Sequence, residues 1–230
     1  MSVNDKDTQD GPAEQVANRT EDGKRGPVKV IMLGESSVGK TCLVKRLLTR
    51  SFVDNTDVTY GAAYAPYTFR VGEEDVKMGI WDTAGSERFR SFISTYFRQA
   101  KAAVVCYSLD DLATFEKVRY WIEIVRQHEE SCAMYICGTK ADLVTTRNPA
   151  VVTSEMVESI ALELTAAGIY ETSSKTGKNV ELLFQMIGED FIKRAKQTDY
   201  VKDETESIQL TENGAAPTPD EKTEVKQKCC

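Results

Sequence analysis

Eight consecutive residues, Gly34-Glu35-Ser36-Ser37-Val38-Gly39-Lys40-Thr41, carry the chain's clearest chemistry. They match the spacing G-x-x-x-x-G-K-[ST], in which glycines let the backbone curl so that successive N–H groups face one anion. Lys40 can reach the β- and γ-phosphates of a nucleotide, and Thr41 can place its hydroxyl on Mg²⁺. Gly34, Ser36, Ser37, Val38, Gly39 and Cys42 complete the candidate phosphate loop. A second candidate stretch is Trp81-Asp82-Thr83-Ala84-Gly85. Asp82 suits the carboxylate that orients the Mg²⁺ shell, and Gly85, lacking a Cβ, lets a backbone N–H approach a γ-phosphate. A simple helix cap is the plainer alternative for Asp82-Thr83. In Thr139-Lys140-Ala141-Asp142, a fixed carboxylate at Asp142 can accept from N1–H and N2–H of guanine, a donor pair that adenine lacks. Ser173, Ser174 and Lys175 sit in a polar loop that can aim a backbone N–H at the base's O6, although taken alone the segment is an ordinary turn.

These residues need a frame that brings four distant loops together. Val28 to Leu33 is an apolar run that reads as a buried strand, and Cys42 to Leu48 reads as an amphipathic helix. Strand, glycine loop and helix in that order put the positive end of the helix on the anion. Ala65–Val71 and Asp75–Trp81 flank Gly72-Glu73-Glu74 and read as an antiparallel hairpin. Ala102–Leu109 and Met134–Gly138 read as further strands, and Ile169–Thr172 as the last. Helical spacing covers Leu112–His128, Ser154–Ala167 with Ser154 as cap, and Val180–Arg194. Strands alternating with helices imply an α/β fold of the P-loop NTPase type. Its six-stranded sheet is mostly parallel, with one antiparallel edge strand and helices on both faces. Ligands of such sheets lie outside the carboxyl ends of the strands.

Three regions follow from composition: a polar arm over residues 1–27, read as disordered, a domain over 28–195, and a flexible acidic tail over 196–230. A net charge of −7 argues against a nucleic-acid partner. No apolar run reads as a signal peptide or as a bilayer span. Six cysteines occur. Cys132 and Cys137 have no second pair to complete a metal site, so they read as reduced strand residues, which favours a cytosolic setting. The single histidine, His128, falls late in a polar-faced helix and reads as a surface residue, not a catalytic base.

With the loops and their order in place, the chain resembles the Rab family of Ras-superfamily small GTPases over Val28 to Arg194 and at its terminal cysteines. Tyr60-Gly61-Ala62-Ala63-Tyr64, Trp81–Phe89 and Tyr96-Phe97-Arg98-Gln99-Ala100 carry that likeness, and the first two are similar to the family's divergent branch numbered twenty-four. The resemblance implies a switch that binds GTP or GDP with Mg²⁺ and hydrolyses GTP in the control of vesicle trafficking, with a link to autophagy. It implies that Thr59 closes on Mg²⁺ and the γ-phosphate, and that Phe52 stacks on the base. Lys40, Thr59, Gly85 and Ser86 would serve the hydrolytic step. Tyr64, Trp81 and Tyr96 would form the aromatic surface read by effectors. The implied partners are effectors, an exchange factor, a GTPase-activating protein, a prenylation escort and a dissociation inhibitor. Two geranylgeranyl groups on Cys229 and Cys230 would anchor the chain to the cytoplasmic face of endosomal or autophagic membranes, with a cytosolic pool.

Two residues depart from the family pattern. Ser86 stands where most relatives carry the glutamine that bridges the attacking water and the transition-state oxygens, and serine is too short to span both. Slow intrinsic hydrolysis is therefore expected, with the missing amide open to replacement by an activating protein. Thr139 stands where relatives carry an asparagine that ties this loop to the glycine loop and contacts N7 of the base. Threonine keeps a hydroxyl but loses the amide, so weaker nucleotide retention is expected, with guanine preference kept through Asp142. Two readings compete with the switch. One is a GTP-binding adaptor that scarcely hydrolyses, which Ser86 favours. The other is an adenylate or nucleoside kinase, which Asp142 and the lack of an arginine-rich lid disfavour.

Overall fold

The structure is a computed structural model that describes residues 26–54, 58–85 and 95–212, with side chains described as far as residue 197. Ser86, Cys229 and Cys230 lie outside the described residues. Strand β1, Val28–Leu33, is an almost fully buried apolar run at the centre of the sheet. Helix α1, Lys40–Thr49, follows directly from the glycine loop. Strands β2, Ala62–Val71, and β3, Glu74–Thr83, form an antiparallel pair. Their turn places Gly72 at φ +60°, a conformation that a tight hairpin asks of its first turn residue and that glycine adopts without strain. The hairpin strands extend beyond the expected Ala65–Val71 and Asp75–Trp81, because the ladder runs on to the Ala62–Thr83 pair.

Strand β4, Ala102–Ser108, and strand β5, Ala133–Thr139, are buried at every position. Each carries a continuous apolar run of the kind that a parallel strand covered on both faces requires. Strand β6, Gly168–Glu171, is a short edge strand. The six strands lie in the order β2-β3-β1-β4-β5-β6, with β2–β3 antiparallel and the other four pairings parallel. The expected sheet is the one observed.

The helix expected over Leu112–His128 is two helices, α2 (Leu112–Glu116) and α3 (Val118–His128), meeting at Lys117. In α2 the Asp111 side chain caps Ala113 N–H, and the Thr114 hydroxyl donates to Asp111 O at 2.7 Å. That back-bond competes with the helical ladder and tightens the first turn. Helix α3 buries Val118, Trp121, Ile122 and Val125, one stripe at helical spacing, against the sheet. Each such side chain contributes about 1.5–3 kcal/mol on burial. Helix α4 spans Ser154–Glu163, and its cap is Thr153, which accepts from Met156 N–H, where Ser154 was expected. Both residues carry a hydroxyl, and only backbone geometry selects between them.

Helix α5, Val180–Glu212, runs past the expected end at Arg194. The chain divides into two units, residues 1–191, which hold the sheet, and residues 192–230. The apolar spacing used to place the helix stops near Phe191, but Lys, Gln and Glu residues beyond it are good helix formers. Among the described residues, no helix is long and apolar enough to cross a membrane.

Candidate functional site

A cleft of about 430 Å³ opens outside the carboxyl ends of the parallel strands, where this topology puts its ligands. Ser36, Ser37, Gly39, Lys40, Thr41 and Cys42 line one wall. The loop curls through Gly34 at φ +128°, Ser37 at +63° and Gly39 at +99°. A Cβ on Gly34 would collide with the carbonyl oxygen of Cys106. Glycine is therefore required there by packing against β4 as well as by φ.

Lys40 is buried and donates through Nζ to the carbonyls of Gly34 and Glu35, both at 2.9 Å. Burial lowers its pKa, and the carboxylates of Asp82 and Glu35 oppose that shift. A dehydrated ammonium held by carbonyls beside open space is poised for a phosphate, because charge-assisted bonds strengthen out of water. Gly85 closes the loop from the other side: a Cβ there would stand 2.5 Å from both Lys40 Nζ and the carbonyl carbon of Glu35. Only glycine fits this close to Lys40 and the Glu35 peptide.

Thr41 Oγ1 and Thr59 Oγ1 are 2.7 Å apart. Asp82 lies behind them, buried, and among the described residues its Oδ1 has no hydrogen-bond partner. Burial raises the pKa of Asp82, and a hydrogen bond from Thr41 and the charges of Lys40 and Lys45 oppose it. An orphaned buried carboxylate oxygen is costly unless something completes it. Two hydroxyls and one carboxylate form an oxygen-only donor set, which suits Mg²⁺. No group of three or more His, Cys, Asp or Glu side chains is placed to hold a metal among the described residues. A cation held here would need further ligands from water or phosphate, which is the usual condition of Mg²⁺.

Thr139, Lys140, Asp142, Ser174 and Lys175 form the far end of the cleft, and Phe52 borders it. The buried Thr139 hydroxyl donates to the carbonyl of Val38 and lies 2.8 Å from that of Tyr107. Threonine thus makes the tie to the glycine loop that the missing asparagine was expected to supply. Its single proton is committed to these carbonyls. Ser173 lies behind the wall, and its hydroxyl donates to Asp142 Oδ1 at 2.6 Å, fixing the carboxylate. Gly34, Val38, Asp82 and Ser173 therefore support the cleft without lining it. Asp54, Val58, Thr83 and Leu143 line it and were not foreseen from the sequence. The first two follow α1 in an irregular segment with no periodicity to read. Thr83 donates to Met32 O at 2.6 Å, fastening the end of β3 to β1.

The three aromatic candidates stand in one row. Tyr64 meets Trp81 edge-on at 5.3 Å between ring centroids, and Trp81 meets Tyr96 at 5.4 Å. Lys29 Nζ sits 5.4 Å from the Trp81 ring centre. Tyr64 is about half exposed, and its ring passes over Gly79, where a Cβ would stand 2.8 Å from Cε2.

Comparison with known proteins agrees with this geometry. The model of the Ras family matches residues 29–193. The chain is 47% identical over 167 residues to "Ras-related protein Rab-24" of Dictyostelium discoideum, covering 73% of this chain and 82% of that protein. It is 39% identical over 161 residues to "GTP-binding protein ypt5" of Schizosaccharomyces pombe, covering 69% and 75%. It is 33% identical over 204 residues to "Ras-related protein RABE1e" of Arabidopsis thaliana, covering 88% and 92%.

Proposed function

Because this chain belongs to the Rab family of GTP-hydrolysing small GTPases, on the branch of its Rab-24 relative, we propose that its cleft holds GTP or GDP as a membrane-tethered trafficking switch. The observation that carries this reading is that the phosphate loop, Thr59, Gly85 and the Thr139–Asp142 segment converge on one cleft. Backbone amides of residues 36–41 and the Lys40 ammonium grip the β- and γ-phosphates. Asp142, held by Ser173, selects guanine by accepting from its N1–H and N2–H. Phe52 packs on the base. Thr41, Thr59 and Asp82 provide the oxygens for Mg²⁺. When bound, Mg²⁺ neutralises charge on the β- and γ-oxygens.

Thr59 and Gly85 sense the γ-phosphate, so its loss releases the segments that carry them. Effectors read Tyr64, Trp81 and Tyr96 while those segments are ordered. An exchange factor and a GTPase-activating protein set the nucleotide state, and a prenylation escort and dissociation inhibitor handle the lipid. Endosomal or autophagic membranes are the proposed site of action, from their cytoplasmic face.

Ser86 makes intrinsic hydrolysis slow, because serine carries no amide that could bridge the attacking water and the transition-state oxygens. Single-turnover hydrolysis in Ser86→Gln is expected to rise at least about tenfold, or 1.4 kcal/mol in barrier. An unchanged rate would remove this part of the reading. The same residue supports a second reading, an adaptor with negligible hydrolysis, and turnover with an activating protein present separates the two. Cys229 and Cys230 close a tail without a polybasic run, so two lipid chains provide the anchor. The double substitution Cys229→Ser/Cys230→Ser should move the protein wholly into the supernatant of fractionated cells. Persistence on membranes would count against lipidation there.

A further inference from the structure

Glu35 stands at a crossing of three contacts. Its carbonyl accepts Lys40 Nζ at 2.9 Å. Its carbonyl carbon lies so close to Gly85 that a Cβ on that glycine would be 2.5 Å away. Its side chain reaches into the domain, where Oε1 accepts the indole N–H of Trp121 at 3.1 Å. Trp121 is 2% exposed and belongs to the core stripe of α3, so its indole is set by packing against the sheet. The loop that carries Glu35 contains three positive-φ residues, Gly34, Ser37 and Gly39, and no helix or strand hydrogen bonding spans it. A core helix thus reaches across 86 residues of sequence to fasten the peptide that lies between Lys40 and Gly85.

We propose that Trp121 and Glu35 are positioning residues for the triphosphate state. Their hydrogen bond holds the Glu35 peptide where Lys40 and Gly85 can engage a terminal phosphate together. This rests on the reading that Gly85 senses that phosphate. A diphosphate makes no demand on Gly85 and tolerates a small rotation of the Glu35 peptide. A triphosphate needs Lys40 and Gly85 in register, and Glu35 is the residue both touch. Breaking the bond therefore costs the triphosphate more than the diphosphate. If the contact served only to satisfy a buried indole N–H, its loss would lower stability and leave the nucleotide preference alone.

The test uses the full chain with Mg²⁺ and measures Kd for GDP and for guanosine 5′-O-(3-thiotriphosphate). Trp121→Phe and Glu35→Ala are expected to weaken the triphosphate analogue about fivefold to tenfold, the scale of one hydrogen bond, with GDP changed less than about twofold. In Trp121→Phe/Glu35→Ala the loss should fall well short of the sum of the two single losses, because both remove the same bond. Glu35→Gln keeps an oxygen that accepts from the indole, and should retain the parent's ratio of the two affinities. Equal losses for the two nucleotides, additive losses in the double variant, or a fall in Tm with the ratio intact would each overturn the inference. A parent that binds neither nucleotide would overturn the switch reading, and the inference with it.

Discussion

The two sides of the cleft are braced to different degrees. On the phosphate and base side, Lys40 braces the glycine loop from within by donating to Gly34 and Glu35, and hydrogen bonds from other segments join Trp121 to Glu35, Thr139 to Val38 and Ser173 to Asp142. Of the donors, Thr139 ends the buried strand β5, Trp121 belongs to the core stripe of α3, and Lys40 and Ser173 are themselves buried. On the other side, the described residues between α1 and β2 are tied to the phosphate loop and α1 by the Thr41–Thr59 hydroxyl pair. The end of that segment meets β3 through Ala84 N–H donating to Gly61 O at 2.8 Å. Val58 and Tyr60 stand largely exposed there. A preformed wall can hold a nucleotide in either state, whereas a lightly tied wall can respond to what the nucleotide carries at its end.

This contrast can be broken from either side. The largest effect is expected from Lys40→Ala on the braced wall. Removing a buried ammonium poised for phosphate should weaken GDP and triphosphate alike, about a hundredfold or more, since hydrogen bonds to charged groups are worth 1.5–3 kcal/mol each. Fluorescent-nucleotide titration measures both. Next is Gly85→Ala, whose methyl would strike Lys40 and the Glu35 peptide. It should weaken the triphosphate about tenfold while GDP changes little, because overpacking at this point costs 1–3 kcal/mol only where Gly85 is used. Equal losses in the two states would erase the distinction between the walls. The smallest is Thr139→Val, which removes the hydroxyl tie to Val38 and should speed GDP release about fivefold. Thr139→Asn, which restores an amide, should slow release below the parent's. Identical rates in all three would show that this brace does not matter.

Much of this architecture was legible in the sequence, and the reasons are specific. The glycine loop is contiguous and its spacing states its chemistry, so Gly34 to Thr41 could be read residue by residue. The buried strands show as unbroken apolar runs, and the sheet follows from their alternation with helices. Contacts between distant segments left no such mark. The Trp121–Glu35 bond joins residues whose types suggest only core packing and a solvated charge. Thr139 read as a loss, because the carbonyls beside its hydroxyl belong to distant segments, the glycine loop and β4. Asp54 and Val58 line the cleft from irregular backbone, where neither period nor propensity applies. The end of α5 was misread for the opposite reason: its apolar rhythm stops while its helix propensity continues.

The central claim is that the cleft reads guanine through a carboxylate and phosphate through a buried lysine. Calorimetric titration of nucleotide-free full-length protein with GDP and with ADP, in Mg²⁺, tests it most directly. GDP is expected to bind one to one, with ADP weaker by about a thousandfold or more, the scale set by leaving buried polar groups unpaired. Comparable affinities for the two diphosphates, or no heat from either, would contradict the account.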